Sequence, residues 1–535
     1  MIKGCPMDAS EARPAPNRLT GAAAVPRRGG VRRFLGALAL GVAAAGALPP
    51  FGVLPLAFLA IAGLLALLAR APSAVAAGLT GLAFGLGYHM AGLYWVTNAI
   101  LVRAEEFWWA VPLAVPLLSF VLALFIAVPC ALAWGVPAGW RRVGVLAGLW
   151  VLGDIARQFV LSGFPWNPLG SVWEMSGTLG LVFMQPAAWV GIDGLTLFTL
   201  LAAGSLTLGW RWRAAGMCLL LGWAGAGAWR LGVQPPASGM TAVIVQGNVS
   251  EEEHAAHLSD RVWANAMFER HLALTRQGVA KAGGAPVMVV WPETASPYAL
   301  AQDPNARRAI AEAAAPARMT LSGTIRWEGD TIAHNSMVAV APDGALAGFY
   351  DKAHLVPFGE YFPSYAHVIL GEQGFVPGPG VRTLHLPGLP PLGPLICYEA
   401  IFSGQVVNPT DRPAILVNIT NDAWFGDSAG PRQHLAAARM RSVEEGLPMV
   451  RAANTGISAV IDAHGRVLDS MALDETGVLV AAVPGALPQT LAGRLKLWGP
   501  GLLSLLCAGV AAVNTRRLSR TFKKIENSPE KRKLY

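Results

Sequence analysis

Residues 393–402 read GPLICYEAIF. Gly393 and Pro394 open a short apolar run that stops at Cys397, Tyr398 and Glu399. A brief apolar run bounded by turn-forming residues reads as a strand buried on both faces. Reactive side chains just past its end fit an open α/β sheet, whose sites form outside the carboxyl ends of strands. Cys397 has no partner at CxxC spacing, so neither a zinc knuckle nor a local disulfide accounts for it. The other cysteines are Cys5, in a polar tail, and Cys130, Cys218 and Cys507, in apolar runs. A thiol in such a run is ordinarily a small buried hydrophobe.

The pattern continues outward. TAVIVQGNV (241–249), PVMVVWPE (286–293), MTLSGTIRW (319–327) and AILVNITNDAW (414–424) are β-rich runs. NSMVAVAPDGALAGFYDK (335–352) is a hairpin turned at Asp343-Gly344, and GISAVIDAHGRVLDS (456–470) is another, turned at His464-Gly465. RQHLAAARMRSVEEG (432–446) reads as a helix. Polar residues recur at the carboxyl ends of these strands: Glu293, Lys352, Cys397, and Asn421 with Asp422. The segment is an α/β domain with a covered sheet, expected over 238–486.

What surrounds this domain is apolar. The 535-residue chain is 53% hydrophobic and 14% charged, well under the roughly 25% charge of ordinary soluble proteins. Runs of spanning length lie near 34–48, 53–69, 74–97, 108–136, 143–161, 185–209 and 214–230, and an eighth near 497–513. Pro112 and Pro116 predict a kink or ragged start in the fourth run. The fold class expected is therefore a polytopic α-helical membrane bundle of eight spans plus an α/β domain. Its parts are a disordered tail at 1–30, a seven-helix membrane domain at 31–234, the α/β domain, an eighth transmembrane helix at 490–515 and a basic tail at 516–535. No cleavable signal peptide is expected, because the first apolar run is followed directly by another.

The net charge of +8 does not point to nucleic acid, since the basic residues sit in clusters between apolar runs. Arg27, Arg28, Arg32 and Arg33 precede the first run, Arg70 follows the second, and Arg141 with Arg142 follows the fourth. Arg211 and Arg213 follow the sixth, and Arg516, Arg517, Arg520, Lys523 and Lys524 follow the eighth. All fall on one side. The opposite loops carry Arg103, offset by Glu105 and Glu106, then Arg157 and Arg230. By the positive-inside rule both termini are cytoplasmic and the α/β domain lies outside.

Cys397 as a nucleophile needs help, because a thiol of pKa near 8.5 is only a few per cent thiolate at neutral pH. Glu293 is the candidate base, and Lys352 can supply positive charge to the thiolate or to an oxyanion. Taken singly, each has an ordinary structural reading: packing for the cysteine, a helix cap for the glutamate, a solvated charge for the lysine. His354 and His434 leave open a cysteine–histidine pair.

Together, VVWPETASPY (289–298), YDKAHLVPFGEYFP (350–363) and LICYEAIF (395–402) resemble the Glu-Lys-Cys segments of the nitrilase superfamily. Seven apolar runs before the domain and one after it resemble its membrane-embedded branch, the apolipoprotein N-acyltransferases, as do VQGNV (245–249), LVPFGE (355–360) and TNDAWFG (420–426). The resemblance covers the chain from about residue 33. It implies an αββα sandwich at the outer, periplasmic face of the bacterial inner membrane. It also implies roles: Glu293 as general base, Lys352 as oxyanion-stabilising residue, Cys397 as nucleophile, Glu360 and Glu399 as supporting carboxylates, and Tyr398 as a residue shaping the pocket. Neither cofactor nor metal is implied.

The implied partners are a phospholipid acyl donor and an S-diacylglyceryl apolipoprotein acceptor, with the enzyme a monomer. The implied reaction is a ping-pong acyl transfer through a cysteine thioester. Drawing a chain of about sixteen carbons into water would cost roughly 12 kcal/mol at ~0.8 kcal/mol per CH₂, so a site open to the bilayer suits this chemistry. One departure stands out. The family has a tryptophan within about a dozen residues of VQGN; here SEEEHAAHLSD (250–260) intervenes and Trp263 comes later.

His89, Tyr94, Trp95 and Asn98, with Trp166 and Asn167, lie near membrane boundaries, as an aromatic belt or as substrate contacts. Asp154 and Arg157 are expected to pair. Two other functions are weighed: a membrane-tethered nitrilase-like amidase, and a non-catalytic transporter or assembly factor. The second lacks the repeats or deeply placed charges of transporters.

Overall fold

The computed structural model describes residues 28–102, 104–257, 260–363 and 374–513. The expected N-terminal tail up to residue 27, Arg103 and the basic tail at 516–535 lie outside the described residues.

Each of the eight apolar runs is helical. They are α1 (Arg28–Ala45), α2 (Leu54–Ala69), α3 (Ala74–Gly92), α4 (Val111–Trp134), α5 (Trp140–Ala156), α6 (Ala187–Ser205), α7 (Trp210–Leu231) and α11 (Trp498–Ala512). Residues 28–30, assigned to the tail from sequence, already belong to α1. α4 starts at Val111 with Pro112 in its first turn, where a missing N–H costs nothing. Three of these helices, α3, α4 and α6, are long and apolar enough to cross a membrane by length and composition, while α2 and α11 are shorter apolar helices.

The bundle is apolar outside as well as inside. On α4, Val115, Leu122, Ile126 and Cys130 face inward, while Leu113, Leu117, Phe120, Leu124, Val128 and Leu132 form an exposed stripe at helical spacing. A soluble helix would carry charge on that face. α6 is broken at Gly191, whose φ of 67° lies outside the helical range. The break frees the Ile192 N–H, which donates to Glu444 Oε1 at 2.7 Å, an acidic cap on the restarted helix.

The α/β domain is a sandwich of two sheets. The first has the order β11-β1-β2-β3-β4-β5 and the second β10-β9-β8-β7-β6. The strands are β1 (Ala237–Gln246), β2 (Val287–Val290), β3 (Met319–Glu328), β4 (Ile332–Val340), β5 (Leu346–Asp351), β6 (Leu392–Ile396), β7 (Ile415–Thr420), β8 (Met449–Ala453), β9 (Ala459–Ile461), β10 (Val467–Ser470) and β11 (Gly477–Pro484). Both expected hairpins, β4–β5 and β9–β10, are present as antiparallel pairs.

Ile244, Met288, Val290 and Leu321 of the first sheet meet Ile396, Val417, Ile419 and Val450 of the second in one apolar layer. Helices α8 (Arg261–Lys281) and α9 (Pro304–Ala314) cover the outer face of the first sheet through Phe268, Leu272 and Ile310. Helix α10 (Ala429–Glu445) covers the second through Ala438. The layers are therefore α, β, β, α, as expected.

Helix α10 has a second neighbour. Its opposite side, with Met440 and Val443, packs in the bundle core beside Met184 and Ala187. A helix reading RQHLAAARMRSVEE would ordinarily keep a solvated face. Here Gln433, His434, Arg441, Ser442, Glu444 and Glu445 are all buried, and the side chains of all but Ser442 find a partner across the junction or within it. Arg441 Nε lies 2.9 Å from Glu444 Oε2 and Lys496 Nζ 2.8 Å from Glu445 Oε1.

Candidate active site

The three strand-end residues of the sequence meet in space. Glu293 follows β2, and its position is set from beneath by Gly323 of β3. A Cβ on Gly323 would come within 2.5 Å of the Pro292 carbonyl oxygen and 2.6 Å of the Glu293 Cα. Glycine inside this strand thus permits close approach of another backbone. Lys352 follows β5. The preceding Asp351 is gripped by Arg326, whose Nε and Nη2 each donate at 2.8 Å, and the Lys352 amide donates to the Asn335 carbonyl at 2.9 Å.

The ammonium of Lys352, 1% exposed, bridges two carboxylates. Nζ lies 3.0 Å from Glu293 Oε1 and 2.9 Å from Glu360 Oε1. Asn335 Nδ2 donates to the same two oxygens, at 2.7 and 2.6 Å. The second oxygen of Glu293 accepts the Asn421 amide N–H at 2.8 Å, and that of Glu360 accepts the Val356 N–H at 2.7 Å. Burial alone would lower the Lys352 pKa, but Glu293 and Glu360 outweigh it and hold it above the usual lysine value. The solvated-charge reading of Lys352 and the helix-cap reading of Glu293 are both excluded.

Cys397 is 7% exposed. It begins a 3₁₀ turn, Cys397–Ile401, directly after β6. Its φ is +49°, a left-handed conformation that costs a residue with a Cβ roughly 1–3 kcal/mol and that clusters at functional sites. Glu399 braces the turn. Its carboxylate accepts from the Ile396 amide at 2.7 Å, the Tyr350 hydroxyl at 2.7 Å, and the Ala353 and His354 amides at 2.7 and 3.3 Å. One side chain therefore binds the Cys397 turn to the loop after Lys352. Burial, then the charge of Glu293, push the Cys397 thiol well above its usual pKa. Lys352 and a hydrogen bond with Thr420 offset only part of this. A thiol held this way forms a thiolate only if its proton has somewhere to go.

Tyr398 reaches the bundle. Its hydroxyl donates to the Gly163 carbonyl at 2.7 Å, joining the catalytic domain to the loop between α5 and α6. Tyr398, Ile401 and Phe402 pack in one cluster with Leu93, Trp95, Leu122 and Trp166 of the bundle. Trp95, Trp166 and Asn167 each donate to Gln433 Oε1, at 3.1, 3.0 and 3.1 Å. The boundary aromatics thus form the seam between bundle and sandwich, a role the belt and substrate readings both missed. Arg157 Nε lies 3.1 Å from Asp154 Oδ1, the pair expected from sequence.

The cysteine–histidine pair is not formed. His434 Nε2 lies 3.0 Å from the Cys397 carbonyl oxygen, and Nδ1 lies 2.8 Å from Asp422 Oδ1. His354 stacks on Phe402, ring centroids 4.4 Å apart. Cys397, Asp422 and His434 are also the one group among the described residues with metal-ligating atoms all within 4.8 Å of one another. Both ring nitrogens of His434 and both oxygens of Asp422 are already engaged, Oδ2 by Arg451 at 2.7 Å, so this set lacks the open donors a metal needs.

Sequence reasoning missed Asn335 and Tyr350. Asn335 had a signal: it is polar in the otherwise apolar NSMVAV strand, and a buried amide must find partners. In the acidic segment, Trp263 donates to Glu253 Oε1 at 3.2 Å and stacks on His257. Glu251 reaches the site, accepting from the Asn421 side chain.

A family model described as carbon-nitrogen hydrolase matches residues 244–491, and one described as the apolipoprotein N-acyltransferase N-terminal domain matches residues 40–205. An apolipoprotein N-acyltransferase from Allorhizobium ampelinum is 38% identical over 521 residues, covering 90% of this chain and 96% of the relative. Another from Sinorhizobium fredii is 37% identical over 533 residues, covering 92% and 97%. A solved amidase from Nesterenkonia superposes with a TM-score of 0.35 at 19% identity, over 47% of this chain and 93% of its own. With both halves of the architecture matched in order, and full-length relatives well above 30% identity, the chain belongs to the apolipoprotein N-acyltransferase family.

Proposed function

We propose that the chain moves an acyl group from a phospholipid to the α-amine of the N-terminal S-diacylglyceryl cysteine of apolipoproteins, with Cys397 as the carrier. The observation that carries this reading is the buried Glu293–Lys352–Glu360 cluster, in which the charges of Glu293 and Lys352 act on the Cys397 thiol. The thiol proton passes to Glu293 as sulfur attacks the ester carbonyl. Lys352 faces the oxyanion. Collapse of the tetrahedral intermediate expels the lysophospholipid, which takes the proton back from Glu293 and leaves a thioester. The acceptor amine then attacks, Glu293 removes its proton and returns it to the departing sulfur, and an amide is formed. Glu360 and Asn335 hold Lys352 and Glu293 in register. Glu399 holds the turn, and Tyr398 fixes it to the bundle.

We place α1–α7 and α11 in the bacterial inner membrane as eight spans, with both termini cytoplasmic, the sandwich periplasmic and the protein a monomer. The domain limits are those read from sequence, with the membrane domain extended back to Arg28 and the sandwich to Ala237. The exposed stripe on α4 suits hydrocarbon rather than water. Phe358 and Trp424, 54% and 36% exposed, stand on the loops that carry Glu360 and Asp422 and suit contact with acyl chains. The match of residues 40–205 to an acyltransferase N-terminal domain counts against a tethered amidase, which needs no bundle.

The test is mass spectrometry of the purified chain after exposure to phospholipid. An acyl adduct on Cys397, discharged by a diacylglyceryl peptide amine, supports the reading. Release of free fatty acid with no adduct, or an undiminished yield from Cys397→Ala, removes it.

A further inference from the structure

In the second turn of helix α10 two adjacent side chains, Gln433 and His434, reach different parts of the protein. Gln433 faces the bundle. Its Oε1 accepts from Trp95, Trp166 and Asn167, and its Nε2 donates to the Pro49 and Gly92 carbonyls, each at 3.2 Å. His434 faces the nucleophile turn and is fully buried. Its Nε2 N–H donates to the Cys397 carbonyl, and its Nδ1 sits between the Asp422 carboxylate at 2.8 Å and Arg451 Nη2 at 3.3 Å. Asp422 is held in turn by Arg451 Nη2 at 2.7 Å and by Thr420 Oγ1 at 2.9 Å. Arg451 itself is tied to Asn418 and to the Ile457 carbonyl.

The acceptor of the His434 bond is what gives it meaning. Cys397 holds a left-handed φ of +49°, and a residue in that region drifts back to negative φ unless its peptide groups are held. On one side of the turn Glu399 takes the Ile396 amide. On the other, the Cys397 carbonyl is held by His434. The direction of that carbonyl and the direction of Sγ belong to the same residue, so freeing the first lets the second swing. The Trp166 and Phe425 rings pack 5.5 and 6.1 Å from the His434 ring.

We propose that His434 is a positioning residue for the nucleophile, acting through the Cys397 carbonyl rather than as a base on sulfur. Asp422 and Arg451 fix its ring, and Gln433 links the same turn of α10 to the bundle. The geometry that aims Cys397 is thus anchored in the membrane domain. The inference rests on Cys397 being the acylated nucleophile.

The test uses the full-length chain in phospholipid–detergent micelles and reads lysophospholipid release in the first turnover. Two variants separate the ring nitrogens. His434→Gln carries an amide N–H near the place of Nε2 and can still donate to the Cys397 carbonyl. His434→Asn is shorter, reaches only the place of Nδ1 and keeps just the Asp422 contact. The expected result is acylation within about tenfold of wild type for His434→Gln and a loss of at least about a hundredfold for His434→Asn, with KM for phospholipid little changed in both. Equal rates in the two variants, or a change confined to KM, overturn the proposal. So does a folded His434→Gln chain that has lost a hundredfold, which keeps the test decisive if His434→Asn does not fold. A wild-type chain with no adduct on Cys397 overturns the nucleophile reading itself, whereas an adduct formed equally fast in all three chains overturns only the role of His434.

Discussion

Replacing Lys352 by methionine tests the centre of the mechanism. The substitution keeps the length of the stem and removes the ammonium from between two carboxylates. Glu293 Oε1 and Glu360 Oε1 both bond the Asn335 amide nitrogen, at 2.7 and 2.6 Å, so their separation cannot exceed the sum of those bonds, 5.3 Å. Two unit charges about 5 Å apart repel by about 3 kcal/mol at an effective dielectric of 20. With Lys352 in place that repulsion is offset; without it the pair relieves it by taking up a proton, and the base is blocked. Loss of the donor facing the oxyanion removes roughly another 10²–10³ in rate. Together these predict a fall in acylation of roughly ten-thousand-fold, with the fold retained because proton uptake discharges the site. The assay is rapid-quench release of lysophospholipid, with melting curves as the control for folding. Raising the pH from about 6 to about 9 should recover the part owed to the blocked base and leave the oxyanion part missing. A Lys352→Met chain that acylates within tenfold of wild type refutes the argument, as does a deficit that is the same at both pH values.

Three further outcomes are expected. Burial raises the Glu251 carboxyl from 4.5 to about 7, with the Glu293 charge adding to it and the Asn421 hydrogen bond opposing it. Its contribution to stability is full below about pH 4.5 and is lost as pH rises through about 7, an effect of about 3 kcal/mol at most. Denaturant midpoints over that window should therefore fall less steeply with pH for Glu251→Gln than for wild type, and parallel curves would dismiss this. Glu399→Gln offers one acceptor oxygen in place of two and turns an amide N–H toward one of its donors; it should cost about 2–4 kcal/mol, read by chemical unfolding, and slow acylation while sparing phospholipid KM. Gly323→Ala forces its Cβ to within 2.5 Å of the Pro292 oxygen, so the backbone of Glu293 must shift by about 1 Å, enough to lower first-turnover acylation roughly a hundredfold; an unchanged rate would mean that the loop can move without displacing the base.

The sequence by itself determined the elements and the chemistry placed at their ends. Apolar runs bounded by Gly and Pro marked eight helices and the strands of an α/β domain, because periodicity and punctuation are local properties. Glu293, Lys352 and Cys397 were legible for the same reason: each is a polar residue ending an apolar strand. The tertiary structure alone decided what holds them. The Asn421 amide that supports Glu293 lies 128 residues from it, and the Gln433 bond to Pro49 spans 384 residues. No spacing along the chain announces such partners. Helix α10 reads as a half-solvated helix yet is buried on both sides, because the bundle covers the face a soluble domain would leave wet. The left-handed turn at Cys397 was equally hidden: Glu399 accepts the Ile396 amide from within the turn, but the His434 N–H that holds the Cys397 carbonyl lies 37 residues away, and a backbone conformation held by a distant donor leaves no mark in the residues that adopt it.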